Sequence, residues 1–253
     1  MTRNDMRLKN SWLLLALLLT GACASRGPAY SRLEGDELFQ YAMDQLEERD
    51  WSEAAGALDM FVVTYLDHPR HAEARYRLGL AYMGQEEYVT AAMEFDRLAV
   101  EFPLGPWADE SRYQVCVAYA ELSPPPPLDQ EYTQNSIDHC ESLIAYYPDS
   151  EFLPQAQEIV DRLTSRLAEK EYLTAEHYFR RNAFDSSIIY YQALADRYPT
   201  TPWAPRALLR LVQAYGRLNY DEEAEAAKAR LLQEFPESPE ARQVDGAATD
   251  IGS

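Results

Sequence analysis

Glycine is scarce in this sequence, with only 10 residues in 253, and runs of β-branched residues are few. Alanine, leucine, glutamate and arginine dominate instead, and these residues lose little on entering a helix. The composition therefore predicts an all-α protein.

The sequence also lacks the motifs that carry common enzyme chemistry. It has no glycine-rich phosphate loop and no nucleophile elbow. The four histidines, His68, His71, His139 and His177, show no metal-ligand spacing, and the carboxylates are spread evenly along the chain. These absences predict a non-enzyme without a catalytic residue, cofactor or metal.

Basic residues are outnumbered, 23 Lys and Arg against 42 Asp and Glu, which gives a formal net charge of −19. A surface of this sign repels nucleic acid and anionic lipid headgroups. We therefore discount both as ligands.

No hydrophobic run is long enough to span a bilayer, which needs about 20 residues. The apolar stretch Ser11–Leu19 follows a basic start at Arg3, Arg7 and Lys9. Short apolar segments of this kind are typical of signal peptides, here residues 1–22.

The signal segment ends in "LTGAC", which resembles the lipobox of bacterial lipoproteins. The resemblance implies cleavage before Cys23 and lipidation of that residue, although Thr20 stands where leucine is usual. Ordinary secretion, with Cys23 free or discarded, is the alternative. Ala24 in place of Asp argues against retention at the inner membrane. Residues 23–34 are then predicted to form a flexible lipidated tether, and residues 244–253 a disordered tail.

A repeated pattern of aromatic and small residues organises the rest of the chain. Equivalent positions recur with spacings of 37, 37, 59 and 37 residues, and one unit contains Leu78, Gly79, Tyr82, Tyr88, Ala91, Phe95 and Pro103. The offsets match the tetratricopeptide pattern, a helix–turn–helix unit of about 34 residues. We predict an α-solenoid of five such repeats, with units starting at Gly35, Ala72, Asp109, Ala168 and Pro205.

Two features explain the long spacing of 59 residues. Repeat three contains about eight extra residues, including "SPPPP", which we interpret as a stiffened loop. Next, a helical pattern of about 29 residues begins near Leu153 and would run about 43 Å. We therefore divide the mature chain into repeats one to three (35–150) and a long helix with repeats four and five (151–243).

The pattern aromatic-Pro-x-x-Pro-Trp-Ala occurs twice, beginning at Phe102 and at Tyr198. The first proline of each copy should end a second helix, because proline has no N–H to donate. Trp107 and Trp203 then occupy equivalent places, and we expect each to pack across the joint between neighbouring repeats.

Stacked repeats form a curved superhelix with a concave groove. The fifth residue of each unit should point into it, and the five are Phe39, Tyr76, Tyr113, Tyr172 and Leu209. Met43, Leu80 and Met83 occupy the next inward positions. Such a lining suits a peptide with aromatic anchors, although packing against neighbouring helices alone is the other interpretation.

Arginines stand out in the last repeats of this acidic chain. Arg180, Arg206, Arg210 and Arg217 should cluster on one side, and Arg180 and Arg181 end a first helix. They either dock an acidic partner or simply stabilise the end of the helix dipole.

Cys116 and Cys140 fall on the two helices of repeat three. An oxidising periplasm would allow them to pair. Their positions in the unit do not obviously face each other, so we expect buried free thiols.

The lipobox, the tether and the five repeats together resemble the BamD-type outer-membrane assembly lipoproteins. The most specific stretches are "YPDSEF", the long lead-in helix and the Tyr172–Tyr178 segment "YLTAEHY". "PPLDQEYTQNSI" resembles the third-repeat insertion of some members. The resemblance covers residues 12 to about 242.

The resemblance implies a lipid-anchored protein on the periplasmic face of the outer membrane, acting in the β-barrel assembly machinery beside companion lipoproteins. Its C-terminal repeats would bind the last POTRA domain of the barrel subunit, through Arg180, Arg181, Tyr215 and Arg217. Its N-terminal repeats would receive the aromatic C-terminal segments of unfolded barrel proteins, through Phe39, Met43, Tyr76, Leu80 and Met83. The alternative is a repeat adaptor of another envelope machine, a cell-division coordinator or a pilotin-like lipoprotein.

Overall fold

The computed structural model describes the backbone of residues 28–249 and the side chains of residues 28–245. The predicted signal peptide and the lipidation at Cys23 lie outside the described residues, so they remain predictions. Within the described part every long element is a helix, as the composition predicts.

Eleven α-helices follow a short 3-10 turn at Ala29–Arg32 in the described residues. They are α1 (Gly35–Glu48), α2 (Trp51–Thr64), α3 (His71–Gly84), α4 (Tyr88–Glu101), α5 (Ala108–Glu121), α6 (Glu131–Tyr146), α7 (Leu153–Arg180), α8 (Phe184–Arg197), α9 (Trp203–Leu218), α10 (Asp221–Glu234) and α11 (Pro239–Thr249). The first ten pair into five successive hairpins, each packed on the next. The prediction of an all-α solenoid of five tetratricopeptide repeats is confirmed.

The turns inside the hairpins show the repeat register directly. Arg49, Glu86, Asn182 and Asn219 adopt left-handed backbone, with φ between 57° and 61°. Each is the fifteenth residue of its predicted unit. Repeat three is the exception, because its insertion replaces this tight turn.

The insertion in repeat three is held from several sides. The Arg166 guanidinium donates to the Ser123 carbonyl oxygen at 2.7 Å. The Gln130 side-chain amide, itself buried, donates to the Pro125 and Leu128 carbonyl oxygens at 3.0 and 3.2 Å. These contacts agree with a stiffened loop.

The long helix α7 joins two parts of the core. Its first half contributes Ala156 and Leu163 to the core around α5 and α6. Its second half contributes Ala175 to the core of repeats four and five. At 28 residues and about 42 Å, it matches the predicted strut.

Both ends of the array are capped, and this corrects two predictions. Tyr30 and Leu33 pack against the core of repeat one, so the predicted tether is not flexible over its last residues. At the other end α11 reaches Thr249 and buries Val244, so residues 244–249 are not a disordered tail. Repeat arrays need such caps, because a terminal hairpin otherwise leaves its stacking face in water.

Cys116 and Cys140 form a disulfide between α5 and α6, with their Cα atoms 5.2 Å apart. The expectation of free thiols is therefore wrong. The two helices run antiparallel and bring the residues level with each other, which unit positions alone did not show. The bond closes the hairpin that carries the longest insertion.

Candidate functional site

The predicted inner-wall aromatic residues take part in a regular contact between repeats. The Tyr76 ring stacks on Trp107, with ring centroids 4.7 Å apart, and the Tyr113 ring stacks on Phe152 at 5.0 Å. In the fourth repeat, Tyr172 packs on Trp203 at 5.1 Å. In the first, the Arg70 guanidinium lies 4.1 Å from the centroid of the Phe39 ring.

In each joint the N-cap or first residue of the following helix covers the aromatic residue of the previous repeat. The prediction that Trp107 and Trp203 pack across the joints is confirmed. The accompanying prediction of an open aromatic wall is wrong for Phe39 and Tyr76, which are only 1% and 3% exposed. Covering by the neighbouring repeat is the physical reason.

Tyr76 is further fixed by its hydroxyl, which donates a short hydrogen bond to the Glu110 carboxylate. Burial, followed by this bond, raises the pKa of Tyr76 above its ordinary value. Tyr76 therefore joins repeats two and three, and its ring is not available to a ligand without movement of Trp107.

Three predicted lining residues of the N-terminal repeats remain partly exposed: Met43 on α1, and Leu80 and Met83 on α3. All three flank core clusters without being enclosed by them. Flexible methionine side chains adapt to varied apolar partners. These three residues form the accessible part of the predicted apolar lining in the first two repeats.

The predicted arginine cluster is organised around a buried carboxylate, Glu176 on α7. The Arg210 Nε lies 2.6 Å from one Glu176 oxygen, and its Nη2 donates to the other at 3.2 Å. The Tyr191 hydroxyl also donates to Glu176, at 2.6 Å. A buried charge of this kind is stable only when paired and hydrogen-bonded, so Glu176 fixes the Arg210 side chain.

Arg210, on α9, lines a cleft of about 400 Å³ that lies between α9 and the C-terminal end of α7. The residues lining the cleft are Glu176, Phe179, Arg180, Asn182, Phe184, Arg210 and Arg217. We call this surface the arginine cleft. Three guanidinium groups beside two phenyl rings match a ligand that carries carboxylate and apolar groups together.

The other predicted partner residues are placed differently. Arg206 lines a neighbouring cleft with Arg210, and its Nε lies 3.7 Å from Glu240 of α11. Arg181 is exposed at the end of α7. Tyr215 is mostly buried, accepts a hydrogen bond from Gln192 at 2.7 Å and faces α10. Tyr215 therefore does not share a cleft with Arg180 and Arg217, as the grouping of these residues had implied.

Sequence reasoning missed Glu176, Phe179 and Phe184 as parts of this site. One signal was present. Glu176 occupies the ninth position of its unit, where repeats one and two carry Met43 and Leu80. A carboxylate at an apolar position of the repeat points to a buried partner.

Five stacked hairpins with a charged cleft and a covered aromatic seam define a tetratricopeptide-repeat scaffold. Among the residues described, no helix is long and apolar enough to cross a membrane. A family model described as "YfiO: Outer membrane lipoprotein" matches residues 32–231. The chain belongs to this family of outer membrane lipoproteins.

Named relatives agree with this assignment. The outer membrane protein assembly factor BamD of Caulobacter vibrioides is 27% identical over 231 residues, covering 88% of this chain and 74% of that protein. BamD of Vibrio cholerae is 24% identical over 233 residues, covering 88% and 96%. The solved TPR domain of P58(IPK) has a TM-score of 0.44, at 15% identity, over 97% of this chain and 61% of that chain.

Proposed function

We propose that this protein is a non-catalytic scaffold of outer-membrane protein assembly, anchored by lipid at Cys23 to the periplasmic face of the outer membrane. The family match and the names of the two assembly-factor relatives support this role. The protein would bind the barrel subunit of the assembly machinery at one end of the array and unfolded barrel proteins at the other.

The arginine cleft is the observation that carries the partner-binding part of the proposal. The protein is strongly acidic overall, yet Arg180, Arg210 and Arg217 converge on one cleft. Glu176 holds Arg210 by two contacts and lies 3.7 Å from the Arg180 Nε, while the Arg180 and Arg217 side chains remain exposed. An acidic segment of a partner would pair with the exposed Arg180 and Arg217, beside an Arg210 side chain that is already ordered and so loses little further entropy on binding.

The partner we propose is the last POTRA domain of the barrel subunit. Its docking segment would place carboxylates on Arg180 and Arg217 and an apolar side chain against the Phe179 and Phe184 rings, which pack edge to face. The exposed Arg181 borders the same end of α7 and would widen the charged surface. Tyr215 would act indirectly, by holding α9 against α8 through Gln192.

The apolar residues of the first two repeats carry the substrate-binding part. Met43, Leu80 and Met83 would contact the aromatic C-terminal segment of an unfolded barrel protein. Phe39 and Tyr76 lie beneath this surface and would support its shape instead of facing the ligand.

The experiment is charge reversal in the arginine cleft of the full-length lipoprotein. We expect Arg180→Glu with Arg217→Glu to reduce co-purification of the barrel subunit at least tenfold, because attraction becomes repulsion across the contact. Binding of purified POTRA domains at low and high salt measures the electrostatic contribution to the binding free energy.

The matched control is Arg97→Glu with Arg162→Glu, which changes the net charge equally at exposed positions outside the cleft. Thermal unfolding of both double variants checks that the fold is intact. Equal retention of the barrel subunit by the two variants would remove the arginine cleft from the proposal.

A further inference from the structure

The joints between successive repeats form one continuous edge along the first three repeats. At its start, His68 Nε2 lies 3.7 Å from the Asp36 carboxylate at the beginning of α1. The His71 and Phe102 rings then link the first joint to the second, with centroids 6.4 Å apart. The Tyr147 hydroxyl donates to the Pro103 carbonyl oxygen at 3.1 Å and links the second joint to the third.

This joint edge carries the most exposed apolar side chains of the described chain. Leu104 is 98% exposed, Tyr146 77% and Leu66 66%. Val63 and Val100, in the last turns of α2 and α4, occupy equivalent places and are also exposed. Single exposed apolar residues are ordinary, but a set repeated along one edge indicates a surface that contacts another apolar phase.

Among the joints of the described chain, only those nearest the predicted lipid anchor carry exposed large apolar residues. In the described joints of repeats four and five, at residues 198–202 and 235–238, no large hydrophobic side chain is exposed. Those joints carry proline, threonine and glutamate at their exposed positions. A general need for apolar joints in the repeat would not produce this difference.

The tether brings the predicted lipid to the same edge. α1 begins at Gly35 beside the first joint, and just before it the Tyr30 side chain packs over Gly56, leaving no room there for a Cβ. From Gly56 to the edge at Thr64, α2 covers about 12 Å. The seven residues from Tyr30 back to Cys23 can span up to about 25 Å. The anchor therefore reaches past the edge without releasing Tyr30.

We propose that the joint edge of repeats one to three rests on the lipid leaflet, with Leu66, Leu104 and Tyr146 inserted among the headgroups. Tyrosine and leucine suit this interface, because an apolar body can enter while a hydroxyl stays wet. Asp67 and Glu101 lie on or beside the edge, so the leaflet would be zwitterionic and not anionic. The anchor and the edge would together fix the orientation of the array, which a single flexible lipid tether would leave free.

The test places a polarity-sensitive fluorophore on one engineered cysteine of the full lipoprotein, reconstituted in phosphatidylethanolamine–phosphatidylcholine vesicles. Cys116 and Cys140 are paired and buried, and acylation occupies Cys23, so the new thiol is labelled selectively. We expect labels at Leu66→Cys and Leu104→Cys to shift to the blue, with several times more quenching by brominated lipid than the controls show.

Two controls match the labelled sites. Glu48→Cys lies in repeat one at the opposite edge, and Thr200→Cys lies on the same edge at a distal joint. Both positions are exposed. Replacing half of the lipid by phosphatidylglycerol at low salt should weaken the quenching at Leu104.

Quenching at Leu66 and Leu104 no greater than at the two controls would overturn the inference. So would a spectral shift that occurs only when the barrel subunit is added, because the edge would then be a protein interface. The readout needs neither the barrel subunit nor a substrate. A negative result would therefore contradict the membrane contact without bearing on the proposed role in assembly.

Discussion

At the scale of single residues, the left-handed turn position shows how a repeat tolerates different side chains. Asn182 and Asn219 suit this backbone, whereas Arg49 and Glu86 adopt it without a favourable side chain. For residues other than glycine and asparagine, this left-handed conformation costs about 1–2 kcal/mol of conformational free energy. The two N-terminal turns therefore keep a strain that the two C-terminal turns largely avoid.

Replacing Glu86 with asparagine should raise the free energy of unfolding by about 0.5–1 kcal/mol, because asparagine tolerates the left-handed backbone better. Glu86→Ala is the matched control, since it also removes the charge but gains no such tolerance. Urea denaturation measures both variants. An alanine variant as stable as the asparagine variant would show that the backbone is unstrained there.

Single residues also decide which predicted contacts are available to ligands. Phe39 and Tyr76 were predicted to line the groove, but Arg70 and Trp107 cover them. The sequence indicated that both tryptophans bridge joints, yet it did not indicate what they would cover. A pairing between residues some 30 positions apart depends on how two hairpins stack, which no local pattern specifies.

At the scale of elements, repeat three is the most reinforced hairpin of the array. Its helices α5 and α6 are separated by the longest loop, and the Cys116–Cys140 disulfide closes a segment of 24 residues. The loop itself is held by Arg166 and Gln130. The cross-link shortens the loop available to the unfolded chain and so offsets the entropy that the insertion adds.

Removing the disulfide with Cys116→Ala and Cys140→Ala should lower the free energy of unfolding by about 2–4 kcal/mol. Equilibrium denaturation of the full chain with and without reductant measures the same difference in the unmodified protein. The double variant should be insensitive to reductant. Identical denaturation midpoints for the oxidised and reduced wild-type protein would contradict a stabilising bond.

At the scale of the whole molecule, the two proposed binding surfaces lie at different ends of the array. Met43, Leu80 and Met83 belong to repeats one and two, whereas the arginine cleft lies between α7 and α9. The three apolar residues flank the cores of repeats one and two, whereas the cleft lies beside the core of repeats four and five, and repeat three with the strut α7 lies between them. In arrays of this kind each repeat contacts mainly its neighbours, so a change at one surface should leave the other intact.

This separation predicts opposite effects for two variants of the full lipoprotein. Leu80→Asp should weaken binding of a peptide with an aromatic C-terminal residue at least tenfold, since a carboxylate would be placed against its apolar side chain. The same variant should retain the barrel subunit. Arg180→Glu with Arg217→Glu should do the reverse.

Fluorescence anisotropy of the labelled peptide and co-purification of the barrel subunit provide the two readouts. Met93→Asp is the control for Leu80→Asp, because Met93 is exposed on α4, a second helix, away from the proposed surface. Loss of both partners in either variant would indicate one shared site and contradict the separation.

The sequence by itself determined the helical class, the five-unit register and the long strut. These features depend on local periodicity and on prolines and turn residues that act within one hairpin. Only the tertiary structure decided that Phe39 and Tyr76 are covered, that Glu176 gathers Arg210 and Tyr191, and that Cys116 meets Cys140. Only the tertiary structure showed that the joints of repeats one to three lie along one edge. The reason is that each of these depends on how antiparallel helices and neighbouring hairpins align, and that alignment is set by packing over the whole stack.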